Sequence, residues 1–357
     1  MTQQNIHVGI AGVGGIGLAN AAWLRQAGFK VTLWSPRGTG LTGPAPCALH
    51  ATGVVEGSFE VQVAPSAAEL ARHADLLVIA VPVNGHKAVF DALAPHLRNG
   101  QTLVVSSMSS LSALYVYELA KGRGVSITVV SMGTTTLTAR RAAPTEVKVM
   151  TRRTRLGIST LPQSALPQAM QLCQSLFGDV FDQDANALAS ALTNINPVAH
   201  APLAVFNWTR IERAENWPQY HYMSPHVAGV IVRLDAERRA LARAFGLQVR
   251  SIEEHFAKSF NTRSTQLADI AAELHASRGG PPGPTDVGTR FLGEDVPYGL
   301  VFSSVLARIA GMPMPCTETM IEASSLIAGR DFRAENELID ALGLRGATLD
   351  GLLARLR

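Results

Sequence analysis

A cluster of glycines between a short apolar run and an amphipathic one constrains this chain more than any other feature. Residues 6–11, Ile-His-Val-Gly-Ile-Ala, are apolar and β-branched enough to form a buried strand. Gly12, Gly14 and Gly17 follow as Gly-x-Gly-x-x-Gly, with Gly15 and Ile16 inside the turn. Ile16, Leu18, Ala19, Ala22, Trp23 and Ala27 then mark one face of a helix that Gly28 stops, and residues 31–34 supply a second strand. Alone, the glycine spacing is weak; opening a helix inside a complete βαβ unit, it is a dinucleotide fingerprint. Gly12 permits the tight turn, Gly14 lets the backbone approach a pyrophosphate, and Gly17 lets helix pack closely on strand. The phosphates would sit on the unpaired N–H groups of the helix N-terminus. The alternative is a glycine-rich turn with no ligand.

An NAD site places an Asp or Glu about 20 residues beyond the glycines, to hold the ribose 2′-hydroxyl. This chain has no acidic residue before Glu56, and the second strand ends in Ser35, Pro36 and Arg37. A hydroxyl and a planar guanidinium suit a 2′-phosphate. NADP(H) is therefore the expected cofactor, with NAD(H) as the second option. Arg37 as a mere solvated loop charge is the competing reading.

A length of 357 residues leaves room for two or three domains with full cores. A net charge of +3 argues for neither a nucleic-acid nor an anionic-membrane role. Cys47, Cys173 and Cys316 are isolated, without the spacing of a zinc site or a disulfide framework, so no metal is expected and a reducing cytoplasm fits. The opening residues pass into the first strand without a basic-then-apolar leader, and no apolar run approaches a membrane span. A homodimer stays open.

Residues 38–46, rich in glycine and proline, read as a loop at the adenosine end. Strand-like pieces are expected at 53–55 and 59–63, a helix from Pro65 to His73, and a buried strand within 75–82. The loop 81–85 leaves that strand's carboxyl end, which makes Val81 and Pro82 candidate cofactor contacts. A helix over 83–97 leads to a strand at 102–105 and the serine-rich loop 106–110. Ser107 and its neighbours could surround a carboxylate or the nicotinamide amide, or could equally cap the next helix, 111–123. A strand at 127–132 runs into the loop 133–136, where Thr135 is a second candidate substrate contact. Residues 147–150 and 155–160 look like paired strands joined by a basic turn, with Arg152, Arg153 and Arg155 solvated at its tip.

From about Asn186 helical patterns replace the strand-and-loop alternation. The expected fold is an α/β Rossmann-type doubly wound sheet, residues 1–185, followed by an all-α C-terminal domain, residues 186–357. The apolar stripe 188–214 is interrupted at Asn196 and Pro197, where a helix must break or kink. Ser224 and Pro225 open a helix that Gly246 ends, Ser251 and Glu254 have capping-box spacing, and 279–284 is a glycine–proline loop before the last helices.

An oxidoreductase needs a proton donor at the carbon centre that receives hydride, and a His oriented by a carboxylate is the usual solution. Two segments put such groups beside backbone-breaking residues: Asn-Ile-Asn-Pro-Val-Ala-His-Ala-Pro at 194–202 and Arg-Phe-Leu-Gly-Glu-Asp-Val-Pro-Tyr-Gly-Leu at 290–300. Each also has a plain reading. His200 on an apolar helix could be a satisfied core residue, and Glu294 with Asp295 could be a helix cap.

Together with Tyr-Met-Ser-Pro at 222–225 and Asp-Ala-Glu-Arg at 235–238, these segments closely resemble the octopine/nopaline (opine) dehydrogenase family, and the likeness spans nearly the whole chain. The resemblance implies a Rossmann domain and a helical domain with substrates between them. It also implies reductive condensation of a 2-oxo acid with the amino group of an amino acid or other amine, using NAD(P)H. By the same resemblance His200 and Asp295 form the catalytic pair, Arg290 contacts cofactor or oxo acid, and Asn196 lies at the substrate. The loops 106–110 and 133–136 depart from the family's common sequences, so the resemblance leaves the amine open. An NADP-dependent 2-oxo acid, ketone or imine reductase is the alternative, and a non-catalytic NADP-binding regulator is the alternative of another class.

Overall fold

The computed structural model describes residues 6–41 and 46–357. It divides into two compact units, Met1–Ala191 with Arg355–Arg357, and Leu192–Ala354. Residues 42–45 of the glycine–proline loop and the first five residues lie outside the described residues.

The first unit is built on eleven strands: β1 (His7–Ala11), β2 (Lys30–Trp34), β3 (Cys47–Gly53), β4 (Gly57–Val63), β5 (Leu76–Ile79), β6 (Thr102–Val105), β7 (Thr128–Met132), β8 (Leu137–Ala143), β9 (Glu146–Arg152), β10 (Leu156–Leu161) and β11 (Phe181–Gln183). They form one sheet in the order β11-β10-β7-β6-β5-β1-β2-β4-β3-β9-β8. β7, β6, β5, β1 and β2 are mutually parallel. Their near-continuous apolar runs are what a strand covered on both faces requires. The chain leaves β1 for β2 on one side and later returns to β5 on the other. That reversal opens a crevice at the carboxyl ends of β1 and its neighbours, the usual ligand position in such sheets. The helix Gly15–Gln26 buries Leu18, Ala21, Ala22 and Leu24 in the core shared with Val31, Leu33, Leu49 and Val149.

Three local expectations are corrected. The strand expected at 53–55 is instead Cys47–Gly53, which buries Cys47, Leu49 and Ala51 alternately. It ends at Gly53 because φ there is +93° and a Cβ would lie 2.1 Å from the Val149 carbonyl oxygen. The expected hairpin of 147–150 with 155–160 does not form: β9 pairs with β8 and β3, whereas β10 pairs with β7 and β11. Residues between them cross from one end of the sheet to the other, so the arginines are not at a hairpin tip, although Arg152 and Arg155 are exposed. Arg152 donates to Phe177 O at 2.6 Å and lies over the Trp23 ring, and Arg153 Nε donates to Thr135 O at 3.0 Å. Finally, the helix expected over 83–97 is His86–Leu93 flanked by 3-10 turns at Val83–Gly85 and Ala94–His96.

The stripe 188–214 breaks into Ala187–Leu192, which belongs to the first unit except for its last residue, and Asn196–Phe206 and Trp208–Glu212, with which the helical second unit begins; Pro197 lies in the first turn of Asn196–Phe206, where its missing N–H costs nothing. The helix Pro225–Ala244 carries the Asp-Ala-Glu-Arg stretch. Asp235 and Arg238 pair at 2.7 Å while almost fully buried, which is tolerable only with the remaining polar atoms satisfied. Ile252 N donates to Asp235, and Arg238 donates to the carbonyls of Leu192 and Arg250. Glu237 accepts from the N–H groups of Cys316 and Thr317, capping the helix Pro315–Ala328. This stretch is therefore a structural tie. The capping box at Ser251 and Glu254 forms, with bonds of 3.1 and 2.7 Å. Among the described residues no helix is long and apolar enough to cross a membrane.

Candidate active site

At the glycine-rich turn the glycines divide by what surrounds them. Gly12 has φ +121° and a Cβ there would sit 2.4 Å from Ala80 O; one on Gly17 would meet Gly12 O at 2.1 Å. One on Gly15 would meet Ala139 O at 2.8 Å, because β8 crosses over the helix start. Gly14 has nothing within 4 Å. The first three are demanded by the protein's own packing. Only Gly14 faces open space, where a ligand can use the bare backbone. No side chain caps this helix at Gly14, so its first-turn N–H groups, those of Gly15, Ile16 and Gly17, lack intrahelical partners and suit a phosphate. The residues present thus fit a dinucleotide.

At the end of β2, Ser35 Oγ accepts from Arg37 N at 3.4 Å, and the exposed Arg37 side chain makes no ion pair among the described residues. Behind this loop lies Arg141, which the sequence reading missed. It donates to Val13 O and Thr39 O, both at 3.0 Å, and so joins the glycine turn to the loop after β2. An arginine 128 positions from its partner leaves no local signal.

Beyond β5, Val81 O accepts from His86 Nε2 at 3.1 Å, and Pro82 precedes the 3-10 turn. Because a carbonyl only accepts, Nε2 carries the proton and Nδ1 accepts from Ser112 Oγ at 2.8 Å. Burial pushes the His86 pKa down to about 4. A neutral His86 therefore ties the loop after β5 to the helix Ser112–Gly122. That helix begins at Leu111, in the left-handed region at φ +53°, so the cap position is not a serine. Ser107 is also left-handed, at φ +66°. Met108 N donates to Met132 O at 2.6 Å, joining the loops after β6 and β7, and Thr135 Oγ1 spends its proton on Leu137 O at 2.6 Å.

In the second unit the structure brings His200 and Asp295 together, with Nδ1 2.8 Å from Oδ2. Their side chains are 15% and 8% exposed, so the pair is shielded without being sealed. The carboxylate fixes the proton on Nδ1, and Nε2 has no protein partner among the described residues. The imidazole stacks flat on Phe291, with centroids 3.8 Å apart. Phe291 is itself held by the Thr289 cap at 3.2 Å.

The glycine and prolines of the two segments explain how the pair is built. Asp295 directly precedes a π-helical turn, Val296–Val301, a distortion often found at functional sites. A Cβ on Gly299 would lie 2.2 Å from the Pro197 ring, so glycine lets this turn press against the start of the helix Asn196–Phe206 that carries His200. Asn336 Nδ2 donates to Pro297 O at 2.9 Å and holds the turn from behind. Asn196 N donates to Asn194 Oδ1 at 3.0 Å. Arg290 is 60% exposed and lies 3.7 Å from Glu294, a loose pair that leaves its guanidinium available. Among the described residues no cluster of His, Cys, Asp or Glu could hold a metal ion.

Comparison with known proteins covers both units. Residues 183–328 match the family described as NAD/NADP octopine/nopaline dehydrogenase, alpha-helical domain, and residues 8–163 match ketopantoate reductase PanE/ApbA. The opine dehydrogenase of Arthrobacter sp. (strain 1C) is 27% identical over 349 residues, 96% of each chain. The solved octopine dehydrogenase with NADH and L-arginine shares the fold with a TM-score of 0.79 at 18% identity, covering 99% of both chains. Yersinopine dehydrogenase with NADP+ bound gives 0.69 at 17% identity over 99% of this chain and 98% of that one. Along nearly its whole length the chain is similar to octopine/nopaline (opine) dehydrogenases, whose helical-domain model its residues 183–328 match, and it is an oxidoreductase acting on a CH–NH bond.

Proposed function

We propose that this protein reductively condenses a 2-oxo acid with the amino group of an amino acid or other amine, using NADPH, to give a secondary amine. The observation that carries this reading is the 2.8 Å His200–Asp295 contact with the imidazole Nε2 left open. The amine adds to the oxo-acid carbonyl, and the carbinolamine must lose water before reduction. Protonated at Nε2, His200 donates to the departing hydroxyl, while Asp295 holds the Nδ1 proton and stabilises the imidazolium. The reduced nicotinamide, when bound, supplies the hydride for the resulting iminium carbon. Arg290, loosely paired, offers its fork to a carboxylate or to the cofactor. Ser107, Thr135 and Asn196 remain candidate substrate contacts.

Ser35 and the unpaired Arg37 favour NADPH over NADH. The three free cysteines support a reducing, cytoplasmic setting. NADPH oxidation, followed with a panel of oxo acids each tested with and without amines, checks the whole reading. An amine should be required. Full turnover by an oxo acid alone would favour the ketone-reductase alternative, to which the match of residues 8–163 lends weight. NADPH binding without turnover of any pair would favour a regulator.

A further inference from the structure

We propose that Arg153 forms a carboxylate-binding subsite at the carboxyl end of β7, reading the acid group of one of the two substrates; this rests on the condensation reading above. Arg153 leaves β9 and turns back under the loop that follows β7. Its backbone N–H donates to Thr136 O at 2.9 Å and its Nε to Thr135 O at 3.0 Å. A guanidinium has five N–H donors, so one bond to Thr135 leaves four for a ligand. No carboxylate pairs with it among the described residues, although its neighbours are occupied, Arg152 by Phe177 O and Arg155 by Asp182 at 3.4 Å.

Arg153 is half-buried, and burial pulls its pKa below the usual arginine value with no acidic group offsetting the cost. A desolvated cation without a counter-ion is unfavourable unless an anion completes it. On the same two strands, Ser106, just beyond β6, and Ser131, near the end of β7, keep buried hydroxyls with no hydrogen-bond partner. The cofactor's 2′-phosphate is not the anion. β7 and β2 are separated by β6, β5 and β1, four strand spacings or about 19 Å.

The test compares Arg153→Gln and Arg153→Lys with the unmutated protein in NADPH oxidation. Pyruvate is varied in one arm. In the other arms an amino acid and its decarboxylated amine are varied. Thermal melting of each variant controls for the fold. The KM of the carboxylate read by Arg153 should rise roughly 10- to 100-fold in Arg153→Gln, with kcat nearly kept and Arg153→Lys in between. A shift confined to pyruvate assigns the oxo acid. A shift for the amino acid but not for its decarboxylated amine assigns the amine substrate. Unchanged KM values, or equal shifts with and without the carboxylate, overturn the proposal. Should the unmutated protein turn over no pair, the condensation reading fails separately. Calorimetric titration of pyruvate and the amino acid into NADPH-saturated protein then decides. Weaker binding by Arg153→Gln supports the subsite, and equal affinity, or no binding by the unmutated protein, removes it.

Discussion

The glycine-rich turn and the His200–Asp295 pair both depend on a glycine pressed against another segment, yet they are built at very different ranges. Gly17 packs on the carbonyl of Gly12, five positions earlier, and the whole phosphate cradle is made within one strand–turn–helix. Gly299 packs on Pro197 and so helps bring together two side chains 95 positions apart. The first site is a property of local backbone geometry. The second exists only when a helix and a π-helical turn are already docked, and Asn336 from a third segment keeps that turn in place. Damage to the two should therefore look different: loss of ligand at the turn, loss of chemistry and of packing at the pair.

The largest effect is expected at the imidazole. His200→Ala removes the proton relay and should lower kcat by on the order of 10²–10⁴, while NADPH affinity, followed by fluorescence titration, stays near that of the unmutated protein. Asp295→Asn keeps the shape but no longer holds the Nδ1 proton as a charged acceptor, so turnover should fall with little change in cofactor binding. If His200→Ala lost NADPH affinity as well, the separation of the two sites would be wrong.

Alanine at glycines sharpens the same contrast. Gly299→Ala forces a methyl against the Pro197 ring and should destabilise the fold by on the order of 1–3 kcal/mol in urea titrations, with kcat reduced as the pair is displaced. Gly14→Ala meets no protein atom within 4 Å, so stability should change by no more than about 0.5 kcal/mol while NADPH binding weakens. A Gly14→Ala protein that bound NADPH normally would mean that the open space at Gly14 is not the pyrophosphate site.

The same difference in range decides what was legible beforehand. β1, β2, β5, β6 and β7 are continuous apolar runs bounded by turn residues, and the sequence marks them plainly. β3 escaped because its buried side is Cys47, Leu49 and Ala51, small or modestly apolar residues in alternation beside a glycine–proline loop. The partners of β9 and β10 were misread because a short basic turn suggested a hairpin, and nothing local reveals that each strand pairs elsewhere. For His200 and Asp295, residue pattern alone left a core histidine and a helix cap as live options; family resemblance, not spacing, joined them. Arg141, His86 and Asn336 gave no signal at all, since a side chain that bonds distant carbonyls looks in sequence like any other polar residue.

His86 links the local site to pH. Its folded pKa, lowered by burial to about 4, lies below the ordinary 6.5 of the unfolded chain. Between these values the unfolded state binds more protons, so stability falls as pH drops from 6.5 toward 4 and is fully present above 6.5. The loss attributable to this one side chain should reach about 2 kcal/mol by pH 5. Urea titrations at pH 7.5 and pH 5 check it, with His86→Gln as the reference that lacks this component. Equal pH dependence in both proteins would show that the buried imidazole takes a proton without opening the loop that it holds.

The smallest effect is expected at Arg37, and it separates recognition of the cofactor from construction of its site. Arg37 is exposed and makes no ion pair among the described residues, so its contact with a 2′-phosphate is open to solvent and weakened by salt. Arg37→Ala should weaken NADPH by roughly tenfold, leave NADH unchanged, and lose its effect as salt rises. Arg141 supplies the contrast. Its guanidinium braces Val13 and Thr39 through their carbonyls, so Arg141→Ala should weaken both cofactors together, with little salt dependence. Binding titrations of the two cofactors at low and high salt distinguish the cases. Equal loss of NADPH and NADH in Arg37→Ala would remove the 2′-phosphate assignment, and a selective loss in Arg141→Ala would transfer it there.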